Sequence, residues 1–336
     1  MSILGIESAT LRPWLATELG LSGASFARVG TGRSNLTYLI TAEDGRTAVL
    51  RRPPMGDHPA TAHDVLREGR IMAALHEQVP VPEVLAMCTD TEVTGAPFIV
   101  MSQLTGQVVA SPEVAETIAP ERRAAMGPAL VDALVQLHRV DPAVLEMPHL
   151  LDRRDFVPRQ LKRWIGNWER VRTRESADLP RAHELLAARV PEQTRVGIVH
   201  GDFRLDNCVF DASGRVEGVL DWELATIGDP LADLGQLLVY WTEPDDAETA
   251  LFAPPTSVGG FSTRAELAAR YEEAFGPAPI DYYLAFNWWK VACILEDVYS
   301  RMVRGAMGAT DRTPESFGDQ AARVARHAVE LAEALD

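Results

Sequence analysis

Asp202, Asn207 and Asp221 are the residues through which this chain could do chemistry. They fall in two short stretches, Val199-His200-Gly201-Asp202-Phe203-Arg204-Leu205-Asp206-Asn207 and Leu220-Asp221-Trp222-Glu223. A carboxylate that can take or orient a hydroxyl proton, next to oxygen donors suited to a hard cation, is what phosphoryl transfer asks of a protein. The covalent work there is slight, and positioning is nearly everything. Taken singly, Asp202 and Asp206 read as turn formers and Asn207 as a local cap. Their joint spacing, His-x-Asp-x4-Asn, is what matches a kinase catalytic loop.

The elements around these residues give an independent reason to group them. Cys208–Phe210 and Val216–Leu220 are apolar, strand-like runs flanking Asp211-Ala212-Ser213-Gly214, a turn signal. If Phe210 pairs with Val216, Asn207 lies opposite Val219 and Asp221 follows two residues later, so both polar groups reach the same end of a hairpin. Asp202 sits one short loop before them. His200 is expected to brace the backbone rather than to react. Downstream, Asp229 and Pro230 read as the N-cap and first residue of a helix. Asp233, set among Leu231, Leu234, Leu237 and Leu238, is placed to brace the catalytic loop.

The first third of the chain is expected to be a small β-rich unit. Strands are predicted at Ser25–Gly30, Leu36–Thr41, Arg46–Arg51, Val84–Cys88 and Pro97–Leu104, with a helix over 61–78 stopped by Pro80 and Pro82. Gly30-Thr31-Gly32-Arg33-Ser34-Asn35 joins the first two strands, and its amides with the Ser34 hydroxyl can line a phosphate. On the helix, Glu68 shares a face with Val65, Met72 and Leu75. An inward carboxylate needs a partner, and Arg51 at the end of the third strand is the candidate. Beyond residue 106 the pattern turns helical, including Ala124–Arg139 and Phe156–Arg174, so the fold class is α+β: a small β-rich lobe followed by a large helical one.

Composition removes several classes of function. A formal charge of −16 argues against a nucleic-acid partner, which needs a basic surface. Asn287 and Lys290 break the most apolar late segment, so no membrane span is expected. Cys88, Cys208 and Cys293 are odd in number and far apart, which fits a reducing, cytoplasmic setting and no disulfide or zinc framework. The residues from Met1 to Thr10 do not look like a secretory signal.

On the words VHGDFRLDN and VLDWELATIGDPLADLG, the chain resembles the aminoglycoside phosphotransferase and choline kinase family, over about Gly30 to Arg304. The phrases GRSNLTYLI and AVLRRPP resemble a narrower branch that includes the kinase regions fused to some acyl-CoA dehydrogenases. The resemblance implies a two-lobed, protein-kinase-like fold, with a nucleotide-binding lobe over 1–102, a hinge at 103–106 and a helical lobe over 107–336. It implies Asp202 as catalytic base and Asn207 and Asp221 as Mg2+ ligands. ATP or GTP would be held by Ser34, Asn35, Arg51, Glu68 and the hinge segment Met101-Ser102-Gln103-Leu104, with adenine meeting backbone near Ser102 and Leu104. Many relatives carry lysine where Arg51 stands.

The expected partner is a small-molecule acceptor with a hydroxyl, and the narrower branch points to a hydroxyacyl or hydroxyacyl-CoA compound. The cluster Arg159, Lys162, Arg163, Arg170, Arg172 and Arg174, interleaved with Trp164 and Trp168, could receive the coenzyme A part. The alternatives are an amino-alcohol or aminoglycoside met by Glu296 and Asp297, a non-catalytic nucleotide sensor, or a metal-dependent hydrolase using His200 and Asp202. Oligomeric state cannot be read from the sequence.

Overall fold

The computed structural model describes residues 3–29, 35–56, 64–147, 155–307 and 312–335. The N-terminal part is a five-stranded antiparallel sheet of order β1-β2-β3-β5-β4, from β1 (Ser25–Arg28), β2 (Leu36–Thr41), β3 (Thr47–Arg52), β4 (Val84–Cys88) and β5 (Phe98–Met101). Alternation along β2 and β3 turns Leu36, Tyr38, Ile40, Ala48 and Leu50 into one core, where each large apolar side chain contributes about 1.5–3 kcal/mol. Arg52 shares that inner face and is satisfied there, donating to Gly5 O and Thr94 O at 2.6 Å each. Arg51 therefore points to the opposite face.

Two helices flank the sheet. One, α1 (Ser8–Leu19), is additional to the elements expected from the sequence; it buries Leu11 and Leu15 and sets Trp14 edge-on against Phe98. The other, α2 (Val65–Leu75), begins where the Asp64 side chain accepts from the Arg67 amide at 2.9 Å. Its buried face is Val65, Glu68, Ile71, Met72 and Leu75.

The rest is mainly helical. It contains α3 (Pro112–Glu116), α4 (Pro120–Arg139), α5 (Phe156–Val171), α6 (Asp178–Ala187), α7 (Leu231–Tyr240), α8 (Arg264–Phe275), α9 (Ile280–Val303) and α10 (Pro314–Glu333). Between α6 and α7 run β7 (Gly197–Val199), β8 (Cys208–Phe210), β9 (Val216–Val219) and β10 (Thr226–Gly228). The strand β6 (Gln107–Val108) joins β8 and β9 in a three-stranded sheet, and β7 pairs with β10. α7 and α9 approach closely at Gly235, where an added Cβ would lie 2.5 Å from the Asn287 amide nitrogen. Asn287 ties the pair by donating to Ala232 O on α7, and it also donates to Tyr283 O on its own helix. Among the described residues no helix is long and apolar enough to cross a membrane.

Candidate active site

The β8–β9 hairpin has a register one residue from the expected one. Phe210 faces Val216, but Val209 faces Gly218 and Cys208 faces Val219, so Glu217 is an extra, bulged residue. Glu217 accepts from the Thr105 amide at 3.1 Å, which anchors the bulge. Leu220, not Val219, lies opposite Asn207, its N–H donating to Asn207 O at 2.8 Å. The shift brings Asp221 one residue closer to Asn207 than the simple hairpin would. Asp221 adopts a left-handed backbone with φ 66°, a conformation that favours Asp and Asn among non-glycine residues and still carries strain.

The catalytic loop hangs from two buried groups. Asp233 is fully buried on α7, and its two oxygens accept from the amides of His200 at 2.6 Å and Gly201 at 2.8 Å. His200 Nε2 meets Leu220 O at 2.9 Å, and His200 Nδ1 faces the Asp202 amide at 3.2 Å, so the ring braces both strands of the site. Gly201 has φ +85°, and a Cβ there would sit 2.9 Å from Leu224 O, so only glycine fits.

Asp202 is thereby held among donors. Oδ2 accepts from Asn207 Nδ2 at 2.9 Å and Arg204 Nε at 3.2 Å, and Oδ1 accepts from Gln236 Nε2 at 3.0 Å. Burial pushes its carboxyl up, but Arg204, Lys290 and the His200 ring, with the Asn207 hydrogen bond, outweigh burial and hold it below the usual carboxylate range. Arg204 also pairs with Asp206 at 2.8 Å. Lys290 Nζ donates to Gly201 O at 3.0 Å and Gln236 Oε1 at 3.1 Å, completing a Lys290–Gln236–Asp202 chain.

Across from this loop lies Arg51. Its Nε donates to Glu68 at 2.8 Å and its Nη2 to Asp221 at 2.6 Å, so one guanidinium links β3, α2 and the end of the hairpin. Glu68 is 2% exposed; burial drives its pKa up against the pull of Arg51. These groups border a cleft of about 570 Å³ lined also by Asn35, Val49, Met101, Ser102, Leu104 and Asp206. Asn35 is buried and its Oδ1 has no hydrogen-bond partner. The Ser102 amide donates to Glu83 O at 2.8 Å, so any base contact at Ser102 falls to its carbonyl. Gly30 to Ser34 of the glycine segment lie outside the described residues.

The donor set fits magnesium. Among the described residues no cluster of three His, Cys, Asp or Glu side chains is built to hold a metal. Asn207 donates through Nδ2 to Asp202, leaving its amide oxygen and the Asp221 carboxylate as hard donors at one end of the hairpin. Magnesium commonly takes one or two such protein oxygens and fills the rest of its shell with phosphate and water.

On the other side of the catalytic loop a second cavity, about 410 Å³, is lined by α5, α9 and the segment after Asp221, with Gly201 in its wall. The sequence reading named neither Gln236 nor Lys290 as a site residue, although Lys290 was visible as a charge breaking an apolar run. It also passed over Glu223, which lines this cavity and whose pKa is pushed up to about 7 by burial and by Asp221.

Two acceptor-side expectations are corrected. The basic cluster does not form one face: Arg172 pairs with Glu175 and stacks over Trp168, while Arg174 is turned onto buried Glu296. Of that cluster only Arg163 lines the cavity. Glu296 is buried and held by Arg174, while Asp297 pairs with Arg301 at the surface and remains 41% exposed.

Residues 25–284 match the family described as "Phosphotransferase enzyme family". The chain is 35% identical over 294 residues to acyl-CoA dehydrogenase family member 10 of Mus musculus, covering 85% of this chain and 27% of that protein. It spans 27–40% of the length of three curated relatives it matches. A Ralstonia eutropha protein provisionally called an aminoglycoside phosphotransferase superimposes with a TM-score of 0.80 at 27% identity, covering 97% of this chain and 98% of that one. An aminoglycoside phosphotransferase solved with AMP-PNP and hygromycin B superimposes with a TM-score of 0.64 at 17% identity, covering 98% and 100%. The two-lobed, protein-kinase-like fold follows from these likenesses and the architecture above.

Proposed function

This chain belongs to the phosphotransferase enzyme family, and we propose that it is a small-molecule kinase moving the γ-phosphate of ATP or GTP onto an acceptor hydroxyl, with Asp202 as base. The observation that carries the reading is the position of Asp202: its carboxylate is held by Asn207, Gln236 and Arg204 in a loop that separates two cavities. A nucleotide fits the larger cleft, with Arg51 on its phosphates, Glu68 holding Arg51, and Asn35, Ser102 and Leu104 along its length, Ser34 being assigned to the phosphates from the sequence alone. The lobe boundaries 1–102, 103–106 and 107–336 are consistent with this division. Asn207 and Asp221 would hold magnesium, which when bound offsets charge on the phosphate oxygens. Asp202 orients the acceptor hydroxyl and takes its proton as the phosphoryl group departs from its leaving oxygen.

A hydroxyacyl compound, free or as its coenzyme A thioester, is the acceptor class favoured by likeness to a protein named for acyl-CoA dehydrogenation. An amino-alcohol or aminoglycoside is the alternative acceptor class, for which Glu296 is already held by Arg174 while Asp297 lies at the surface paired with Arg301. The test is magnesium-dependent ADP and GDP release with hydroxyacyl-CoAs, hydroxy acids, choline and aminoglycosides, using Asp202→Asn as control. The expected loss on that substitution is about 10²–10⁴-fold in turnover with nucleotide affinity kept. Turnover at the wild-type rate in Asp202→Asn would remove Asp202 as base. Nucleotide binding without transfer to any acceptor would favour a nucleotide sensor.

A further inference from the structure

The Asp202 carboxylate accepts unevenly. Such a group offers about four lone-pair sites, two on each oxygen. Oδ2 fills both of its own, with Asn207 Nδ2 at 2.9 Å and Arg204 Nε at 3.2 Å. Oδ1 takes Gln236 Nε2 at 3.0 Å and, among the described residues, no other donor. The position still open on Asp202 is therefore on Oδ1, beside the Gln236 amide, and the side chain keeps 24% exposure through which a hydroxyl can reach it.

Gln236 can donate there only if its amide faces the right way, and the two ends of an amide are nearly equal in shape. Lys290 decides between them. An ammonium has donors and no acceptor, so the end of Gln236 turned to Nζ at 3.1 Å must be Oε1, which leaves Nε2 for Asp202. Nζ is itself fixed by Gly201 O at 3.0 Å, one residue before the base. The helices that carry both groups are locked at this level. Gly235 lets α7 and α9 approach, and Asn287, one turn before Lys290, donates to the carbonyl of Ala232, one turn before Gln236. Gln236 is 1% exposed, and a buried amide beside a cation is a costly thing to place between helices; apolar side chains of like size would pack there at least as well. The pair is explained by what it does to the carboxylate rather than by what it adds to the core.

We propose that Gln236 and Lys290 are positioning residues for the base: Lys290 fixes the sense of the Gln236 amide, and Gln236 holds the Asp202 carboxylate so that Oδ1 receives the acceptor's proton. The inference rests on the kinase reading of Asp202 and deepens it. The hydroxyl proton passes to Oδ1, an electron pair of the hydroxyl oxygen forms the new bond to the γ-phosphorus, and the bond to the leaving nucleotide oxygen breaks with its electrons. With the amide reversed, Oε1 would face Oδ1 and repel it.

Two measurements test this, one of which needs no turnover. In a correlation spectrum of the isotope-labelled full chain, the Gln236 side-chain amide, identified by its loss in Gln236→Leu, is expected to shift in Lys290→Met and again in Asp202→Asn. In magnesium-dependent ADP release with the acceptor panel above, Lys290→Met is expected to lower kcat on the order of 10–100-fold, with the KM for nucleotide and the melting temperature close to those of the wild type. Gln236→Leu should lose as much, and the double variant no more than either, because the two side chains act as one unit. Gln236→Leu carries the kinetic test alone where Lys290→Met does not fold. A Gln236 signal indifferent to Lys290→Met, wild-type kcat in both single variants, losses that multiply in the double variant, or a loss of kcat matched by a fall in melting temperature would overturn the proposal. An amide that answers to both Lys290→Met and Asp202→Asn, in a protein releasing no Asp202-dependent ADP, would sustain the link between the three side chains and remove the kinase reading.

Discussion

Asp233 carries more of the site's geometry than any residue lining the nucleotide cleft. It is shut off from solvent, and both its oxygens are taken by backbone amides of the catalytic loop. Each amide left unsatisfied in a buried place costs about 1–3 kcal/mol. Asp233→Ala is therefore expected to lower stability by roughly 2–5 kcal/mol, with a matching fall in the urea midpoint, and to depress turnover by loosening Asp202. Asp233→Asn keeps one acceptor and should fall between. An unchanged midpoint in Asp233→Ala would show that the loop is held by other means. Asp233 was legible in the sequence because an acid among leucines must be satisfied by something. Gln236 and Lys290 were not, because one polar residue on an apolar helix gives no sign of which loop it meets.

At the scale of elements, the two parts of the structure meet through Arg51. Its fork reaches Glu68 on α2 through Nε and Asp221 through Nη2, engaging two carboxylates on different elements at once. A lysine at this position presents one point charge and cannot span both with fixed geometry. Arg51→Lys is thus expected to weaken nucleotide binding several-fold rather than abolish it. Glu68→Ala, which frees the guanidinium from α2, should raise the nucleotide Kd on the order of tenfold, equivalent to about 1.4 kcal/mol. Titration with a fluorescent nucleotide reads both, and an unaltered Kd in Glu68→Ala would take Glu68 out of the phosphate site. The inward face of Glu68 was readable from periodicity, and Arg51 as its partner came from the way kinases place a basic residue on the third strand. The hairpin register was not, because strand alternation does not reveal that Glu217 is bulged and held by Thr105. The long-range pairing of β6 with β8 and the docking of α1 on the sheet were hidden for the same reason: both depend on tertiary partners far away in the chain.

For the whole molecule, the cleft is closed on one side by the five-stranded sheet and on the other by the catalytic hairpin. Polar ties cross between them by way of Arg67, Val219 and Arg51. Arg67 donates to the carbonyls of Glu223 and Ala225, Val219 donates to Pro80 O at 2.8 Å, and Arg51 holds Asp221. A ligand that touches both sides must then stabilise the fold through linkage, by about 2.7 kcal/mol when present at 100 times its Kd. Magnesium with ATP is expected to raise the melting temperature by several degrees, part of the rise depending on the metal. Asp221→Ala should lose that metal-dependent part and keep the part due to nucleotide alone. Asp202→Asn should keep both, because Asp202 is assigned to the acceptor proton and not to the metal. Melting curves of the three proteins with ATP, with and without magnesium, separate the assignments. A magnesium increment that survives in Asp221→Ala would place the metal elsewhere, and one lost in Asp202→Asn would make Asp202 a ligand instead of a base.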